Sequence, residues 1–161
     1  MSASARLQQC ITEIQSYSNQ EKAAFFPKFF KTWPGEYAEG DQFIGLTVPQ
    51  QRQIARTYKD LEIDDVLKLL QSPIHEHRLI SLFLLVDRYT KGGQEDKQQV
   101  FDLYIQNIQH INNRDLVDSS APNIVGEYIF HHTTKKKMLT VFARSASLRE
   151  RRIAMLATFA Y

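Results

Sequence analysis

A short segment with two acidic side chains and one basic side chain is the part of the sequence best suited to chemistry. This segment, INNRDLVDSSA, covers residues 111–121. Asp115 and Asp118 are three residues apart, so in a helix both carboxylates lie on one face. Arg114 is four residues before Asp118 and can reach the same carboxylate. The segment therefore predicts a short helix whose carboxylates are available for electrostatic or general-base chemistry.

The limits of this short helix are also indicated by the sequence. Asn112 or Asn113 can cap its start, and Pro122 interrupts the helix or begins the next one. A solvent-exposed helical turn without any function has the same pattern. An acid in the first turn is favoured by the helix dipole, and an Arg–Asp pair on a helix surface contributes roughly 0.2–0.5 kcal/mol. Spacing alone therefore leaves both interpretations open.

Length and composition are typical of one globular domain, residues 1–161. The chain has 161 residues, of which 43% are hydrophobic and 24% are charged, and this length buries a substantial core. Its single cysteine, Cys10, cannot form an internal disulfide, which is typical of a reducing compartment. No apolar run approaches the ~20 residues of a membrane span, and the first residues lack the apolar stretch of a secretory signal. We therefore expect a cytoplasmic protein with no membrane partner.

Basic residues are concentrated in the last third of the chain. From Ile111 onward there are eight basic and four acidic residues, whereas the whole chain has a net charge of only +2. Such a region favours an anionic partner such as nucleic acid, and it is equally compatible with a solvated basic face. The run Lys135–Lys137 lies at the start of a predicted helix. Because the helix dipole disfavours cations there, a functional role is slightly favoured for this run.

Apolar residues recur at helical spacing along almost the whole chain. The predicted helices cover residues 4–17, 20–31, 48–58, 64–71, 74–90, 95–109, 122–131, 134–144 and 148–161. The longest predicted loop covers residues 31–49, and Phe43–Leu46 within it is the only candidate strand. Thr47 can cap the helix that follows, with Pro49 in its first turn. The phenylalanines at positions 25, 26, 29 and 30 are expected in the core. The sequence therefore predicts an all-α fold.

One segment of the chain recurs after 74 residues. Residues 74–80, IHEHRLI, align with residues 148–154, LRERRIA, and Leu82 then aligns with Leu156. Two units of about 37 residues match the size of a two-helix solenoid repeat. The recurrence therefore predicts antiparallel helix pairs stacked into an α-α superhelix, whose concave face is the usual binding surface. Chance similarity over so short a segment is the alternative.

Four longer segments resemble the bacterial DNA alkylation repair family, the HEAT-like-repeat glycosylases of the AlkD type. The segments are KTWPGEYAEGDQFIGLTVPQQRQIA, SPIHEHRLISLFLLVDRY, INNRDLVDSSAPNIVGEY and SLRERRIAMLATFAY. They occur in the order that the family has them and cover most of residues 20–161. The resemblance implies an all-α superhelix of HEAT-like repeats with a basic concave face that holds duplex DNA.

The resemblance also implies a reaction. Active members of the family release cationic N3- and N7-alkylated purines by cleaving the N-glycosidic bond, and they leave the lesion stacked in the duplex. As positive charge develops on the sugar, a fixed carboxylate stabilises it and can position a water molecule. The family's catalytic aspartate corresponds to Asp118, and an arginine early in the later helix corresponds to Arg152.

The chain departs from the family pattern at aromatic positions. Arg114 stands where the family has tryptophan, and Arg149 stands where it usually has tryptophan, so phosphate affinity is kept while an aromatic wall is lost. Position 33, commonly glycine in close relatives, is Trp33. The sequence ends at Tyr161, where the family continues with further repeats. We therefore expect an uncovered last helix that self-associates.

Cationic side chains near the candidate carboxylate are expected to bind DNA phosphates. These residues are Arg114, Lys135, Lys136, Lys137, Arg149 and Arg151. No metal site is expected, because the histidine pairs at positions 75/77 and 131/132 lack helical ligand spacing and no cysteine accompanies them. We expect no cofactor.

Three functions remain open at this point. The first is a DNA glycosylase for alkylated purines, with Asp118 as the electrostatic or general-base group. The second is a DNA-binding repeat protein of the same family without glycosylase activity, which Arg114, Arg149 and the early end of the sequence favour. The third is a protein-binding helical solenoid whose basic residues are surface residues. We assign the family-level function, DNA alkylation repair, and leave open whether the chain has glycosylase activity.

Overall fold

The computed structural model describes residues 4–161, and the regular elements in this range are helices. The α-helices are α1 (Ala5–Ser16), α2 (Gln20–Phe30), α3 (Val48–Thr57), α4 (Ile63–Leu70), α5 (His75–Lys91), α6 (Gln94–Gln106), α7 (Arg114–Asp118), α8 (Glu127–His131), α9 (Lys136–Ala143) and α10 (Leu148–Ala157). Short 3-10 turns occur at Ile108–His110, Thr133–Lys135 and Thr158–Ala160, and a π-helical turn occurs at Pro122–Gly126. The predicted all-α fold is confirmed, and it fits a helical-repeat superhelix.

The candidate strand Phe43–Leu46 does not form. Beside it, the backbone of Gln42 makes an isolated bridge in which its N–H donates to Pro73 O at 3.1 Å and its carbonyl accepts from His75 N at 2.8 Å. In the described range no helix has the length and apolar character needed to cross a membrane. Residues 1–3, the start of the segment expected to lack a secretory signal, lie outside that range.

The helices form two compact units, the first ending at Leu84 and the second beginning at Leu85. The long helix α5 contains this boundary. Leu7, Cys10 and Ile14 of α1 contribute to the core of the first unit at a spacing typical of an amphipathic helix. That residues 1–161 form a single HEAT-like helical-repeat domain stays a prediction.

Helix α3 begins as its sequence predicts. Thr47 Oγ1 accepts a hydrogen bond from Gln50 N at 3.4 Å, and the Gln50 side chain accepts one from Thr47 N at 2.9 Å, which forms a capping box. Pro49 lies in the first turn, where its missing N–H is not needed. Ile54 and Tyr58, which the pattern directs inward, are buried.

Helix α2 does not supply the predicted core. No residue of this helix is buried, and the side chains of Phe25 and Phe29 are 61% and 70% exposed. Phe26 and Phe30 pack on Phe43, with ring centroids 5.9 and 5.3 Å apart. The prediction that all four phenylalanines lie in the core is therefore wrong, because no described residue buries the outer face of the helix.

A buried polar cluster attaches the loop between α2 and α3 to the start of α5. The Asp41 side chain is 4% exposed, and its carboxylate oxygens lie 3.2 Å from His75 Nδ1 and 2.5 Å from Arg78 Nη2. The Glu76 carboxylate accepts the backbone N–H of Gly45 at 2.9 Å. These side chains provide hydrogen-bond partners for the loop, which has no neighbouring strand. The loop is therefore held in place without a sheet.

The core of the second unit includes a stack of three rings. Phe101 and Tyr128 have centroids 4.1 Å apart, and Tyr128 and His132 have centroids 4.0 Å apart. Helix α10 packs on α7, on α9 and on the π-helical turn. The turn approaches α10 closely, since a Cβ added at Gly126 would lie 2.4 Å from Ala157 O.

The helix predicted for residues 122–131 forms, and its first part is π-helical instead of α-helical. Its first five residues, Pro122–Gly126, form the π-helical turn, and α8 continues from Glu127. Proline has no backbone N–H to donate, which is tolerated at the first position of such a turn. The predicted helix over residues 134–144 likewise begins with a 3-10 turn before α9.

Candidate functional site

The candidate segment folds into a short helix, α7, as predicted. Asp115 lies in its first turn, where the carboxylate accepts the backbone N–H of Leu116 at 2.8 Å. The backbone carbonyl of Asp115 accepts the Ser119 hydroxyl at 2.7 Å. Asp115 thus supports the helix to which it belongs, whereas Asp118 at the helix end is exposed to solvent.

Asp118 is held by an arginine from another helix of the second unit. Arg152 of α10 donates from Nε to Asp118 Oδ1 and from Nη2 to Oδ2, both at 2.7 Å. The Asp118 side chain is 38% exposed and the Arg152 side chain is 27% exposed. A two-bond pair of this length fixes the orientation of the carboxylate and still leaves it open to solvent.

Arg114 does not make the ion pair that its spacing predicts. Within residues 4–161 the ion-pair partner of Asp118 is Arg152, and the Arg114 side chain is exposed. A base placed before an acid on a helix is the weaker order for such a pair, and the fork of Arg152 supplies two bonds instead. The local prediction for Arg114 is therefore wrong, and the fold brings together the two residues, Asp118 and Arg152, that the family resemblance picked out.

The first unit contains a second Asp–Arg pair in which the arginine occupies the equivalent repeat position. Arg78 aligns with Arg152 after 74 residues, and Arg78 pairs with Asp41 as Arg152 pairs with Asp118. In the first unit the two side chains are 6% and 4% exposed, compared with 27% and 38% in the second. The first pair is sealed in the interior, whereas the second is within reach of a ligand.

A buried pair of hydroxyl groups is hydrogen-bonded to the backbone of α7. Tyr104 OH and Ser120 Oγ are 2.8 Å apart, and both residues are fully buried. The Ser120 hydroxyl also lies 2.6 Å from Leu116 O and donates to it. Burial raises the pKa of Tyr104, and the negative charge of Asp118 adds to this effect. Sequence analysis missed these residues, because Tyr104 and Ser120 are 16 residues apart and no local pattern joins them.

Asn113 occupies the N-cap position of α7 without capping it. The residue is fully buried, and its side chain makes no bond to the first turn. Neither polar atom of its amide has a hydrogen-bond partner in the part of the chain that the structure describes. The capping role predicted for Asn113 is therefore wrong.

Two arginines of α10 that are predicted to bind DNA are anchored by backbone carbonyls. Arg149 donates from Nη1 to Ile108 O at 3.2 Å. Arg151 donates from Nη1 to Ser145 O at 2.7 Å and to Ala146 O at 2.9 Å. A guanidinium carries five N–H groups, so these bonds orient each side chain without using all of its donors.

The lysine run Lys135–Lys137 is exposed where the 3-10 turn meets α9. The first turn of α9 contains no acidic residue. Lys136 Nζ lies 5.4 Å from the centroid of the Tyr161 ring, which is a cation–π distance. The run is therefore accessible to an anionic partner.

Histidines and acids do not gather into a metal centre within residues 4–161, where no group of three or more potential ligands is close enough. His77 instead lies in the interior of the first unit, with Nδ1 3.0 Å from Ser72 Oγ. Burial lowers the pKa of His77 to about 4. The imidazole is therefore neutral at pH values near neutrality.

Comparison with known proteins identifies the family. Residues 10–161 match the model of the family described as DNA alkylation repair enzyme. None of the curated proteins matches the chain. The matched range contains both partners of the Asp118–Arg152 pair and spans nearly the whole sequence. The chain belongs to the DNA alkylation repair enzyme family.

Proposed function

We propose that the chain binds duplex DNA and acts as a DNA glycosylase that releases purines alkylated at N3 or N7. Alkylation at these ring nitrogens gives the purine a positive charge. When the N-glycosidic bond breaks, its electron pair leaves with the base, which becomes neutral, and the positive charge passes to the sugar. Water then adds to C1′ of the sugar and loses a proton.

The observation that carries this proposal is the solvent-open pair of Asp118 and Arg152. A carboxylate beside the sugar stabilises the positive charge that develops as the base leaves. Each oxygen of Asp118 accepts one bond from Arg152 and keeps a further lone pair. Because Arg152 fixes the carboxylate in advance, little reorientation is needed in the transition state. Asp118 is the electrostatic or general-base group of this proposal.

Surrounding cations support the DNA-binding part of the proposal. Arg114 is exposed on α7, and the anchored side chains of Arg149 and Arg151 project from the first turns of α10. The exposed run Lys135–Lys137 belongs to the same unit. Phosphate contacts by such residues release counterions, so we expect affinity for duplex DNA to fall as salt rises.

A second candidate is DNA binding without release of the base. Two observations favour it. Arg152 neutralises much of the charge of Asp118, and Arg114 places another positive charge on α7 that repels a cationic purine. On this reading the chain binds duplex DNA and leaves the glycosidic bond intact.

Release of 7-methylguanine from methylated duplex DNA tests the proposal. We expect slow release by the native chain and none by Asp118→Asn, which keeps the shape of the side chain and removes its charge. Loss of one fixed electrostatic contact of this kind lowers a rate by about 10²–10³-fold. Arg114→Trp should increase release, because it removes a repelling charge and adds an aromatic surface for the cationic nucleotide.

Asp87→Asn is the matched control. Asp87 is ion-paired with Lys91 at 2.6 Å and is 40% exposed, close to the 38% of Asp118. This variant should release the base at the native rate. Undiminished release by Asp118→Asn would exclude Asp118 as the reactive group. Salt-dependent DNA binding with no release by any variant would favour the second candidate.

A further inference from the structure

Exposed aromatic side chains occur on the outer face of α2 and in the turn that follows it. Phe25, Phe29 and Trp33 are 61%, 70% and 66% exposed. They are spaced four residues apart, and the four-residue step between the phenylalanines advances about 6 Å along the helix axis. Exposed rings that follow one another in this way mark an interaction surface more often than scattered apolar residues do.

The inner face of α2 is already occupied, so the exposed rings cannot be buried by rotation of the helix. The Phe30 ring stacks on Phe43 with centroids 5.3 Å apart and lies 5.0 Å from the His75 ring. Phe26 meets Phe30 edge to face at 6.2 Å. These contacts fix the helix in its orientation and keep its outer face turned to solvent.

The turn after α2 is held in place as well. Thr32 Oγ1 donates to Pro27 O at 3.3 Å, which folds the chain back over the last turn of the helix. The backbone N–H of Trp33 donates to the Glu36 carboxylate at 3.1 Å. A ring that is carried by fixed backbone loses less conformational entropy when it binds a partner.

Three lysines accompany the rings. Lys22, Lys28 and Lys31 are exposed, and none of them has an ion-pair partner among the described residues. The carboxylates of Glu36 and Glu39 accept backbone N–H groups of the turn, and Glu21 is exposed in the first turn of α2. The lysines therefore remain available to an anionic ligand. We name the three exposed rings and these three lysines the α2 surface.

We propose that the α2 surface binds single-stranded nucleic acid, with bases stacked on Phe25, Phe29 and Trp33 and phosphates contacted by the lysines. Exposed rings that alternate with cations are the combination that such binding uses, because every base has a face that stacks and every nucleotide carries a phosphate. In a duplex the bases already stack on each other and present no free face. The inference does not rest on the proposed glycosylase activity, which concerns residues of the second unit.

Two other partners fit the surface less well. Binding to a lipid bilayer scales with the apolar area that a helix face buries, whereas the exposed large apolar residues between positions 20 and 39 are Phe25, Phe29 and Trp33 alone. A second copy of the chain would have to bring the three lysines against three like charges, which is unfavourable in a symmetric contact.

Fluorescence of Trp33 gives a direct test, since it is the single tryptophan of the chain. Titration of the full chain with unmodified oligothymidylate should quench this fluorescence in a saturable way, because a stacked base lies against the indole. Phe25→Ser and Phe29→Ser should each weaken binding by about tenfold, as expected when one stacking contact is removed. Lys28→Gln should make the affinity less sensitive to salt.

Phe159→Ser is the matched control, because Phe159 is 71% exposed and lies outside the α2 surface. It should bind oligothymidylate with native affinity, and circular dichroism should show native helix content for every variant. Absence of quenching, or native affinity in both phenylalanine variants of α2, would overturn the proposal. Quenching by phosphatidylserine vesicles or by self-association at high protein concentration, without quenching by oligothymidylate, would overturn it as well.

Discussion

In each unit an aspartate pairs with the arginine at the equivalent repeat position, and the two pairs differ in exposure. Asp41 and Arg78 are almost completely buried, whereas Asp118 and Arg152 are about one third exposed. Breaking a buried pair leaves an uncompensated charge in the interior, whereas an exposed pair adds little to stability. The Asp118–Arg152 pair therefore contributes little to the fold, which leaves it free to serve a ligand.

Replacement of the two equivalent arginines by methionine should separate these roles. Arg78→Met leaves Asp41 buried without its guanidinium partner, so we expect the free energy of unfolding to fall by roughly 3–5 kcal/mol. Arg152→Met leaves Asp118 hydrated, and the loss should stay below about 1 kcal/mol. Urea unfolding followed by circular dichroism measures both variants. Equal losses would contradict the view that one pair is structural and the other is not.

The sequence identified the candidate carboxylate better than it identified its partner. Spacing and family resemblance both drew attention to Asp118, and resemblance added Arg152. Local spacing favoured Arg114, which lies nearer in sequence than Arg152, the partner found 34 residues away. Tyr104 and Ser120 could not be predicted, because a hydrogen bond between α6 and the turn after α7 leaves no periodic pattern in the sequence.

Helix existence was predictable, whereas burial was not. Apolar periodicity and the Thr47 cap predicted α3 almost to the residue, because both signals are local. The four phenylalanines of α2 carry the same kind of pattern, yet two of them are exposed. Whether an apolar face is covered depends on which elements pack against it, and short-range sequence does not encode that.

At the level of elements, the close approach of the π-helical turn to α10 makes Gly126 sensitive to substitution. Gly126→Ala would place a Cβ 2.4 Å from Ala157 O and 2.9 Å from Ala160 Cβ. Overpacking of this kind costs about 1–3 kcal/mol, which outweighs the about 0.5–1 kcal/mol that alanine gains over glycine in a helix. We expect a lower free energy of unfolding in a urea titration.

The double variant Gly126→Ala with Ala160→Gly shows which contact is responsible. It removes the side-chain clash and keeps the clash with the backbone of Ala157, so stability should not return to the native value. Full recovery would show that α10 yields easily and that the backbone contact is unimportant.

For the molecule as a whole, His77 predicts that stability falls in mild acid. Burial lowers its pKa to about 4 in the folded state, from the 6.5 expected in an unfolded chain. Between these values the unfolded chain binds a proton that the folded chain does not, so the free energy of unfolding decreases as pH falls. The full window corresponds to about 3 kcal/mol.

Urea titrations at a series of pH values across this window measure the effect. His77→Gln cannot take up the proton in either state, so its stability should depend less on pH. His131→Gln is the control, because the His131 side chain is 63% exposed, and it should keep the native slope. The same slope in the native chain and in His77→Gln would show that other groups cause the loss.

The overall fold class followed from the sequence, and the organisation into units did not. Helical periodicity and the 74-residue recurrence were enough for an all-α assignment, and the recurrence correctly aligns Arg78 with Arg152. The boundary near Leu84 lies inside the unbroken helix α5. No turn, proline or change in composition marks that position, so sequence patterns had no means of locating it.

The buried thiol of α1 makes it possible to measure how often the first unit opens. Cys10 is fully buried, and burial raises its pKa to about 12, so an alkylating reagent meets almost no thiolate in the closed state. Modification at mildly alkaline pH must wait until the unit opens and the thiol regains its ordinary acidity. Because the sequence has no other cysteine, the rate of alkylation reports only those openings of the first unit that expose Cys10. We expect that rate to rise with urea below the unfolding transition, as mass spectrometry of the alkylated chain would record.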